Sequence, residues 1–165
     1  MLKLIKKKSR KYKLPWELVC SIIWQESRGN PWASRVEEGF YARYIEKLDK
    51  DTLPGYVPST LSLSTEKWHR STSWGLMQLM GETMREEGFR KNDLTRLCIP
   101  AINLEFGCRY FRKLLNDQDD SQKYITRVKQ ALAQYNTGRP RPDSTNYDEE
   151  VLGHLYKGSY QKIFE

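Results

Sequence analysis

Apolar residues recur at three- and four-residue steps along most of the chain, and few segments show the two-residue alternation that marks strands. The pattern therefore predicts a mainly α protein. The first stripe consists of Leu14, Leu18, Val19, Ile22 and Ile23. Glu26 stands four residues beyond Ile22 on the same helical face, so its carboxyl is predicted to point inward. Pro15 suits the first turn of this helix, and Gly29 suits the left-handed position that ends one.

Similar periodicity predicts further helices over residues 39–50, 81–87, 100–115, 125–135 and 147–156. Ser64 or Thr65 is expected to cap a short turn between the first two of these helices. Gly88 and the run Asn136-Thr137-Gly138 are typical of helix ends. A chain of 165 residues is long enough for one domain that buries roughly two-thirds of its unfolded surface. Five Trp and ten Tyr argue against disorder.

The net charge of +7 is concentrated at the N-terminus. Residues 1–13 hold seven basic residues and no acidic one, which leaves 21 basic and 21 acidic residues in the remainder. We therefore expect a basic N-terminal arm at 1–13 followed by a domain at 14–165. The arm is predicted to be a solvated, partly disordered lead-in, with guidance to an anionic surface as the alternative. The balanced remainder argues against a nucleic-acid-binding domain.

Cysteine usage and the start of the chain bear on cellular context. Cys20, Cys98 and Cys108 are odd in number and show no metal-type spacing, so they are interpreted as reduced, buried residues, with a Cys98–Cys108 bridge as the alternative. No apolar stretch follows the basic arm that would act as a signal sequence or span a membrane. The chain is expected to be made in the cytoplasm without its own export route.

Glu26 is the strongest candidate for catalysis. Burial of a carboxyl raises its pKa by up to roughly 3 to 5 units, whereas the negative end of a helix dipole contributes only about 0.3 to 1 kcal/mol. Desolvation is therefore expected to hold Glu26 protonated near neutral pH. A protonated glutamic acid suits acid-assisted cleavage of a glycosidic bond. The alternative is a structural ion pair with Arg28 or another base.

Three other segments carry groups that suit sugar recognition. The run 73–78, Ser-Trp-Gly-Leu-Met-Gln, has Gly75 where a backbone or ligand approaches closely and Gln78 for hydrogen bonding. The run 134–138 places the phenol of Tyr135 and the amide of Asn136 at a helix end. Tyr147 brings a second phenol. Each segment alone also has a structural explanation in packing, capping or turn formation.

Taken in order, these segments resemble the catalytic domain of soluble lytic transglycosylases, the glycoside hydrolase family 23 group related to goose-type lysozyme. The resemblance spans residues 14 to about 156. It rests on Glu26-Ser27, the run 73–78, the run 103–107 (Asn-Leu-Glu-Phe-Gly), the run 131–138 and Asn146-Tyr147. It implies a lysozyme-like helical fold with a substrate cleft and no metal or cofactor.

The resemblance also implies the reaction and the residue roles. The enzyme would cleave the β-1,4 bond between N-acetylmuramic acid and N-acetylglucosamine in peptidoglycan and leave a 1,6-anhydro product. Glu26 would protonate the bridging oxygen and then accept the proton of the C6 hydroxyl, as in substrate-assisted exceptions to the two-carboxylate scheme. Tyr147 would hold the Glu26 carboxyl. The other predicted substrate-binding residues are Ser73, Gly75, Met77, Gln78, Glu105, Tyr135 and Asn136.

The chain departs from the family pattern in an insertion at residues 36–70, whose role is open. Its aromatic residues are expected to form either a sugar-stacking platform or a satellite core: Tyr41, Tyr44, Tyr56 and Trp68. Its acids supply a rival mechanism, an inverting lysozyme-type muramidase in which Glu37, Glu38, Asp49 or Glu66 holds a water. His69 and His154 are weaker candidates for that base.

Smaller departures lie elsewhere in the chain. Asp143 stands where glutamate is frequent, and Asp148 stands where an apolar residue is common. Gly81 replaces a frequent proline, which is expected to change only the entry to the next helix.

A non-catalytic wall-binding module and a nucleic-acid binder are the other function classes. Glu26 argues against the first and the charge balance against the second. The expected partner is the peptidoglycan glycan strand, with no nucleic acid, no stable membrane insertion and a monomeric state. Delivery by a phage holin, on a virion or by a secretion apparatus is expected, and a phage or prophage lysin is the preferred context.

Overall fold

The computed structural model describes residues 1–56, 61–90, 93–138 and 146–164. Helices dominate the described chain, which confirms the mainly α class. The α-helices are α1 (Leu2–Lys11), α2 (Trp16–Ser27), α3 (Glu38–Phe40), α4 (Leu63–Arg70), α5 (Gly81–Glu86), α6 (Pro100–Asn116), α7 (Tyr124–Thr137) and α8 (Asn146–Lys157). A π-helical turn follows α3 at Tyr41–Ile45, and 3₁₀ turns lie at Leu94–Cys98 and Ser159–Phe164.

A small antiparallel sheet, which the sequence pattern did not predict, joins three short strands. They are β1 (Ser34–Val36), β2 (Thr72–Trp74) and β3 (Leu79–Met80), in the order β1-β2-β3. Ser34 pairs with Trp74, Val36 pairs with Thr72, and Ser73 pairs with Met80. Strands of two or three residues are too short to show the alternation that identifies a strand in sequence.

The chain forms two compact units, which are described separately. The first consists of Met1–Gly29 with Leu104–Glu165, and the second consists of Asn30–Asn103. In the first unit, α2 packs against α1, α8 and the final 3₁₀ turn, and α7 packs against α8. The α2 side chains of Val19, Ile22 and Ile23 are fully buried, as the apolar stripe predicts. This packing makes α2 the central helix of its unit.

The predicted ends of the later helices are largely confirmed. Gly138 adopts the left-handed conformation that ends α7, and Gly88 has a positive φ just after α5. Pro100 opens α6, as expected. The end of α2 differs slightly from the prediction, because Arg28 takes the left-handed C-cap position with φ 54° and Gly29 follows with φ 83°.

The prediction of a solvated, partly disordered lead-in is wrong for residues 2–11, which form α1. Ile5 is fully buried and Ser9 is 1% exposed, so one side of the helix belongs to the core. Lys8 pairs with Glu105 at 2.6 Å. Because that partner lies 97 residues further along the chain, no local pattern could reveal it.

The helix predicted over 39–50 is also shorter than expected, since helical structure ends at Ile45. Asp49 instead organises a turn, in which its carboxylate accepts hydrogen bonds from the backbone N–H groups of Asp51 and Thr52. The cap of the next helix is Ser62, not Ser64 or Thr65. Its hydroxyl accepts a hydrogen bond from the Thr65 N–H, and α4 continues to Arg70.

The predicted insertion at 36–70 connects the antiparallel neighbours β1 and β2, where a hairpin turn would otherwise stand. Strand β1 ends at Val36, and its register partner Thr72 begins β2. Antiparallel neighbours need only a tight turn, so the chain leaves and re-enters the sheet at adjacent points. An insertion at such a point leaves the pairing of β1 with β2 unchanged. Its length adds little to the free-energy cost of closing the loop, because that cost grows slowly with loop length.

All three cysteines are free and buried, which confirms their interpretation as reduced structural residues. Burial raises the pKa of Cys20 and of Cys108 to about 12, so both remain thiols at neutral pH. In the described parts of the chain, no helix has the length and apolar character needed to cross a membrane. Nor do those parts hold a His, Cys, Asp or Glu cluster suited to a metal ion.

Candidate active site

Glu26 lies on the last turn of α2 and is half-buried. Tyr147, in the first turn of α8, donates a hydrogen bond from Oη to Glu26 Oε1 at 2.5 Å. The Tyr147 side chain is buried. Glu26, found from the apolar stripe of α2, and Tyr147, found from the family resemblance, are therefore hydrogen-bonded although they lie 121 residues apart in sequence.

The phenol of Tyr147 remains protonated over a wide pH range. Its burial and the nearby negative charge of Glu26 together raise the pKa of Tyr147 well above its ordinary value. A hydroxyl in this state donates to the carboxyl group and takes no proton from it. Tyr147 is thus a fixed hydrogen-bond donor that orients Glu26.

Tyr135 is a second phenol in the surroundings of Glu26. Burial raises the pKa of Tyr135 well above its usual value, and the charge of Glu26 raises it further. The ring packs against Phe111 edge-on, with centroids 6.0 Å apart, and against Tyr110 at 5.8 Å. These aromatic contacts fix the position of the Tyr135 ring, and its role on the apolar side of a substrate site stays a prediction.

A polar clamp beside the Glu26–Tyr147 pair joins α2 to α8. Gln25 donates from Nε2 to Glu150 Oε2 at 2.7 Å, and its Oε1 lies 2.8 Å from His154 Nε2. Burial and the nearby charge of Arg28 lower the pKa of His154. The clamp fixes the register of α8 against α2 and so contributes to the placement of Tyr147. Sequence reasoning missed it, because the three residues look like ordinary surface positions.

The 73–78 segment, in the second unit, is held by a buried amide. Asn103 is fully buried, accepts a hydrogen bond from the Met77 N–H at 2.9 Å and donates to the carbonyls of Trp74 and Leu97. Gly75 has φ 72°, and a Cβ there would lie 2.5 Å from Asn103 Nδ2 and from Leu97 O. The close approach predicted at Gly75 is therefore to the protein's own amide and backbone.

Asn103 belongs to the run 103–107 that supported the family resemblance, but no role was predicted for it, although a signal for one was available. Asn103, Gly107, Phe111 and Leu114 follow helical spacing on α6 and are all buried. A polar residue on such a face requires internal hydrogen-bond partners. That requirement identifies Asn103 as a structural anchor.

The polar groups of the 73–78 segment already have protein partners. Gln78 has φ 43° and donates from Nε2 to the carbonyls of Ala33 and Gly75, both at 3.0 Å. Ser73 is 7% exposed and donates from Oγ to Glu37 Oε1 at 3.3 Å. The Met77 side chain is fully buried. Sugar-binding roles for these residues stay predictions.

The match to known families is decisive about membership. Residues 3–150 match the family model described as "Transglycosylase SLT domain". This chain belongs to the SLT transglycosylase family. Members of this family act on peptidoglycan, and the helical structure agrees with the lysozyme-like SLT fold. No curated protein and no solved structure matched the chain.

Glu105, carried over from the SLT pattern as a substrate-binding residue, is engaged by α1. Its carboxylate accepts hydrogen bonds from Lys8, Lys11 and Tyr12. Burial acts to raise the pKa of Glu105, but these hydrogen bonds outweigh it and lower the pKa to about 2. The carboxylate is therefore charged at neutral pH, and its role at the substrate stays a prediction.

The insertion acids were candidates for the second carboxylate of a muramidase. Glu66 is 4% exposed, and both of its oxygens accept hydrogen bonds from Arg85, while Oε1 also accepts one from Arg70. Burial acts to raise the pKa of Glu66, but the two guanidinium groups lower it overall. A carboxylate whose oxygens are occupied by two arginines and whose pKa is lowered is poorly suited to hold a water as a base. These contacts argue against Glu66 as the second carboxylate.

The other insertion acids have varied surroundings. Glu37 Oε1 accepts hydrogen bonds from Arg35 and Ser73, and Asp49 organises its turn. Glu38 is exposed. His69 stacks edge-on with Trp74, with centroids 5.4 Å apart, and lies 3.5 Å from Asp93, which is the setting of a packed structural histidine.

The insertion aromatics have different surroundings, and a sugar-stacking role for them stays a prediction. Tyr41 and Trp68 stack face to face, with centroids 4.1 Å apart and planes 1° apart, and Trp68 remains 42% exposed. Tyr56 instead donates to the Leu61 carbonyl at 2.9 Å. Ile45 and Leu53 of the same insertion are buried, as expected of a satellite core.

The remaining predicted positions lie near the ends of α7 and α8. Asn136 is exposed on the last turn of α7. Asp148 is 8% exposed, which fits a position where an apolar residue is common. Asp143 lies outside the described residues.

Proposed function

We propose that this SLT-family protein is a peptidoglycan lytic transglycosylase in which Glu26 acts first as general acid and then as general base. The observation that carries the proposal is the hydrogen bond from buried Tyr147 to the carboxyl of half-buried Glu26. Family membership supports the substrate class, the glycan strand of peptidoglycan.

One carboxyl group is enough for the proposed reaction. Protonated Glu26 gives its proton to the oxygen between N-acetylmuramic acid and N-acetylglucosamine, and the bond from that oxygen to C1 breaks. The C6 hydroxyl oxygen of the same muramic residue then bonds to C1, and the Glu26 carboxylate takes its proton. The acid is regenerated, no water is consumed, and the product carries a 1,6-anhydro ring.

The Tyr147 contact supports different roles for the two carboxyl oxygens of Glu26. Since Oε1 accepts the phenol hydrogen bond, the transferable proton is assigned to Oε2. After transfer, the same hydrogen bond stabilises the carboxylate and keeps the group in place for the return step. Tyr147 is therefore a positioning residue in this mechanism.

The rival muramidase mechanism requires a second carboxylate to hold a water across the sugar. The hydrogen bonds of Glu66 to two arginines argue against it in that role and so weaken this alternative. The sugar-contacting roles of Ser73, Gln78 and Asn136 remain carried over from family resemblance. Action as a lysin delivered by a holin, a virion or a secretion apparatus likewise remains a proposal.

The proposal is tested by digesting purified peptidoglycan and analysing the fragments by mass spectrometry, with wild-type protein, Glu26→Gln and Glu17→Gln in parallel. Glu17 lies on the same helix, so its replacement controls for the change of charge and side chain. Wild type and Glu17→Gln are expected to release anhydromuramyl ends, and Glu26→Gln is expected to release none. An active Glu26→Gln protein would remove the acid assignment.

A further inference from the structure

Helix α1 presents a continuous cationic face to solvent. Lys3, Lys6, Lys7 and Arg10 are all exposed and recur at three- and four-residue steps, which places them on one side of the helix. Residues three and four apart on a helix have Cβ atoms only about 5 to 6 Å apart. Four positive charges therefore form one row.

The opposite side of α1 is anchored, so the cationic row has a fixed orientation. Ile5 and Ser9 are buried, and Lys8 pairs with Glu105 at 2.6 Å. Arg112 of α6 donates to the backbone carbonyl of Tyr12 at 2.7 Å, directly after the helix. This anchoring lowers the entropy that a ligand would otherwise lose by ordering the segment.

The row borders an open concavity of about 440 Å³ lined by five basic residues, whose methylene stems form much of its surface: Lys3, Lys6, Lys7, Arg10 and Lys11. The Lys6 ammonium lies 4.4 Å from the ring centre of Trp16, which covers the indole face and holds the lysine in place. A concave surface of one sign concentrates the field that attracts a ligand of opposite charge.

We propose that this face of α1 is a binding site for an anionic phosphodiester polymer of the bacterial envelope. A chain with one negative charge per repeat can meet successive cations along the helix. The residues outside 1–13 hold 21 basic and 21 acidic groups, so the excess charge of the protein belongs to this segment. The choice of an envelope polymer rests on membership of a family that acts on the cell wall.

Two other polyanions fit the face less well. The central apolar residue of α1, Ile5, is buried within its unit, so it is not available for insertion into a lipid surface. Binding of single-stranded nucleic acid relies on aromatic side chains on which bases stack. The concavity has a lysine- and arginine-only lining, and the neighbouring Trp16 is covered by Lys6.

The test measures binding of full-length protein to purified poly(glycerol phosphate) by isothermal titration calorimetry, at 50 and at 200 mM NaCl. The test variant replaces Lys3, Lys6, Lys7 and Arg10 with Gln. A matched control replaces four exposed lysines elsewhere, Lys47, Lys50, Lys129 and Lys162, with Gln. Both variants lose four positive charges, and their thermal unfolding is compared with that of wild type to verify folding.

Wild type and the control variant are expected to bind, with an affinity roughly 50-fold lower at the higher salt, as four phosphate contacts require. The α1 variant is expected to bind at least tenfold more weakly than the control. Equal weakening in both variants would show that net charge alone is responsible and would overturn the site. Tighter binding to phosphatidylglycerol vesicles or to a single-stranded oligonucleotide, at equal phosphate concentration, would overturn the choice of polymer. Because this binding needs no glycan cleavage, its outcome is independent of the role of Glu26.

Discussion

At the residue scale, the chemistry depends on two side chains that the sequence brings to attention for different reasons. Glu26 interrupts an apolar stripe, which is visible by inspection, whereas Tyr147 is identified only through resemblance to a family pattern. The structure joins them by a hydrogen bond of 2.5 Å. A buried phenol with a raised pKa is a donor that does not compete for the catalytic proton.

Replacing Tyr147 with Phe is expected to lower kcat roughly 10- to 100-fold, because a hydrogen bond to a charged group is worth about 1.5 to 3 kcal/mol. The ring is kept, so the free energy of unfolding changes little. Loss of a donor to the carboxylate favours the protonated form, so the alkaline limb of the pH–rate profile moves to higher pH. Rates of peptidoglycan solubilisation between pH 4 and 10 measure both effects.

Tyr156→Phe is the matched control, since Tyr156 lies on the same helix and is 73% exposed. It is expected to leave both the rate and the profile unchanged. A Tyr147→Phe enzyme with a wild-type rate and profile would remove Tyr147 from the mechanism.

At the element scale, two attachments explain how unusual parts of the chain are held. Helix α1 is tied to α6 by Glu105, and the insertion helix α4 is tied to α5 by Glu66 and Arg85. Both attachments are ion pairs between residues distant in sequence. The sequence suggested functional roles for Glu105 and Glu66 but gave no sign of these ion pairs, because only the fold shows which charges become buried together.

The attachment of α1 is expected to weaken in acid. The pKa of Glu105 is about 2, below its ordinary value of 4.5, so the ion pair contributes full stability above pH 4.5 and loses that contribution as the pH falls toward 2. Glu105→Gln is expected to lower the free energy of unfolding by about 1 to 2 kcal/mol at pH 7, after allowance for solvent screening.

Urea unfolding of wild type and Glu105→Gln at several pH values between 7 and 2 measures this difference. It is expected to shrink steadily below pH 4.5. A difference that stays constant down to pH 2 would contradict the assignment of the lowered pKa to Glu105.

The attachment of the insertion is expected to be much more sensitive to substitution. Glu66→Ala leaves Arg70, which is fully buried, without one of its carboxylate partners, and breaking a buried ion pair costs about 3 to 5 kcal/mol. Glu46→Ala removes an exposed acid from the same insertion and is expected to change stability by less than about 0.5 kcal/mol. Equal stabilities of the two variants in urea unfolding would contradict this account.

Gly81, at the start of α5, lies close to the backbone of α4. A Cβ at this position would lie 2.2 Å from the His69 carbonyl oxygen and 2.8 Å from the Arg70 Cα. The expectation that Gly81 changes only the entry to its helix is therefore incomplete, because the insertion helix packs directly on it. Gly81→Ala is expected to cost at least about 2 kcal/mol of stability. Gly153→Ala, with no atom within 4 Å, should be neutral or stabilising in the same thermal unfolding measurement.

At the scale of the whole molecule, periodicity predicts most of the helices because each buries one continuous stripe. It fails for β1–β3, because strands of two or three residues are too short to show a period. It also fails for α1, because only Ile5 and Ser9 of this mostly basic helix are buried in the core. The Glu26 position follows from the stripe, but the Asn103 anchor and the Gln25 clamp depend on tertiary partners. Long-range hydrogen bonds of this kind leave little trace in local spacing.

The central claim is that the chain closes an anhydro ring with one carboxyl group and adds no water. Its most direct test is digestion of purified peptidoglycan in water enriched in ¹⁸O, followed by mass spectrometry of the new muramic ends. The mechanism predicts 1,6-anhydro ends without the heavy isotope, formed by wild type and absent with Glu26→Gln. Reducing muramic ends that carry ¹⁸O would contradict it and would establish hydrolysis.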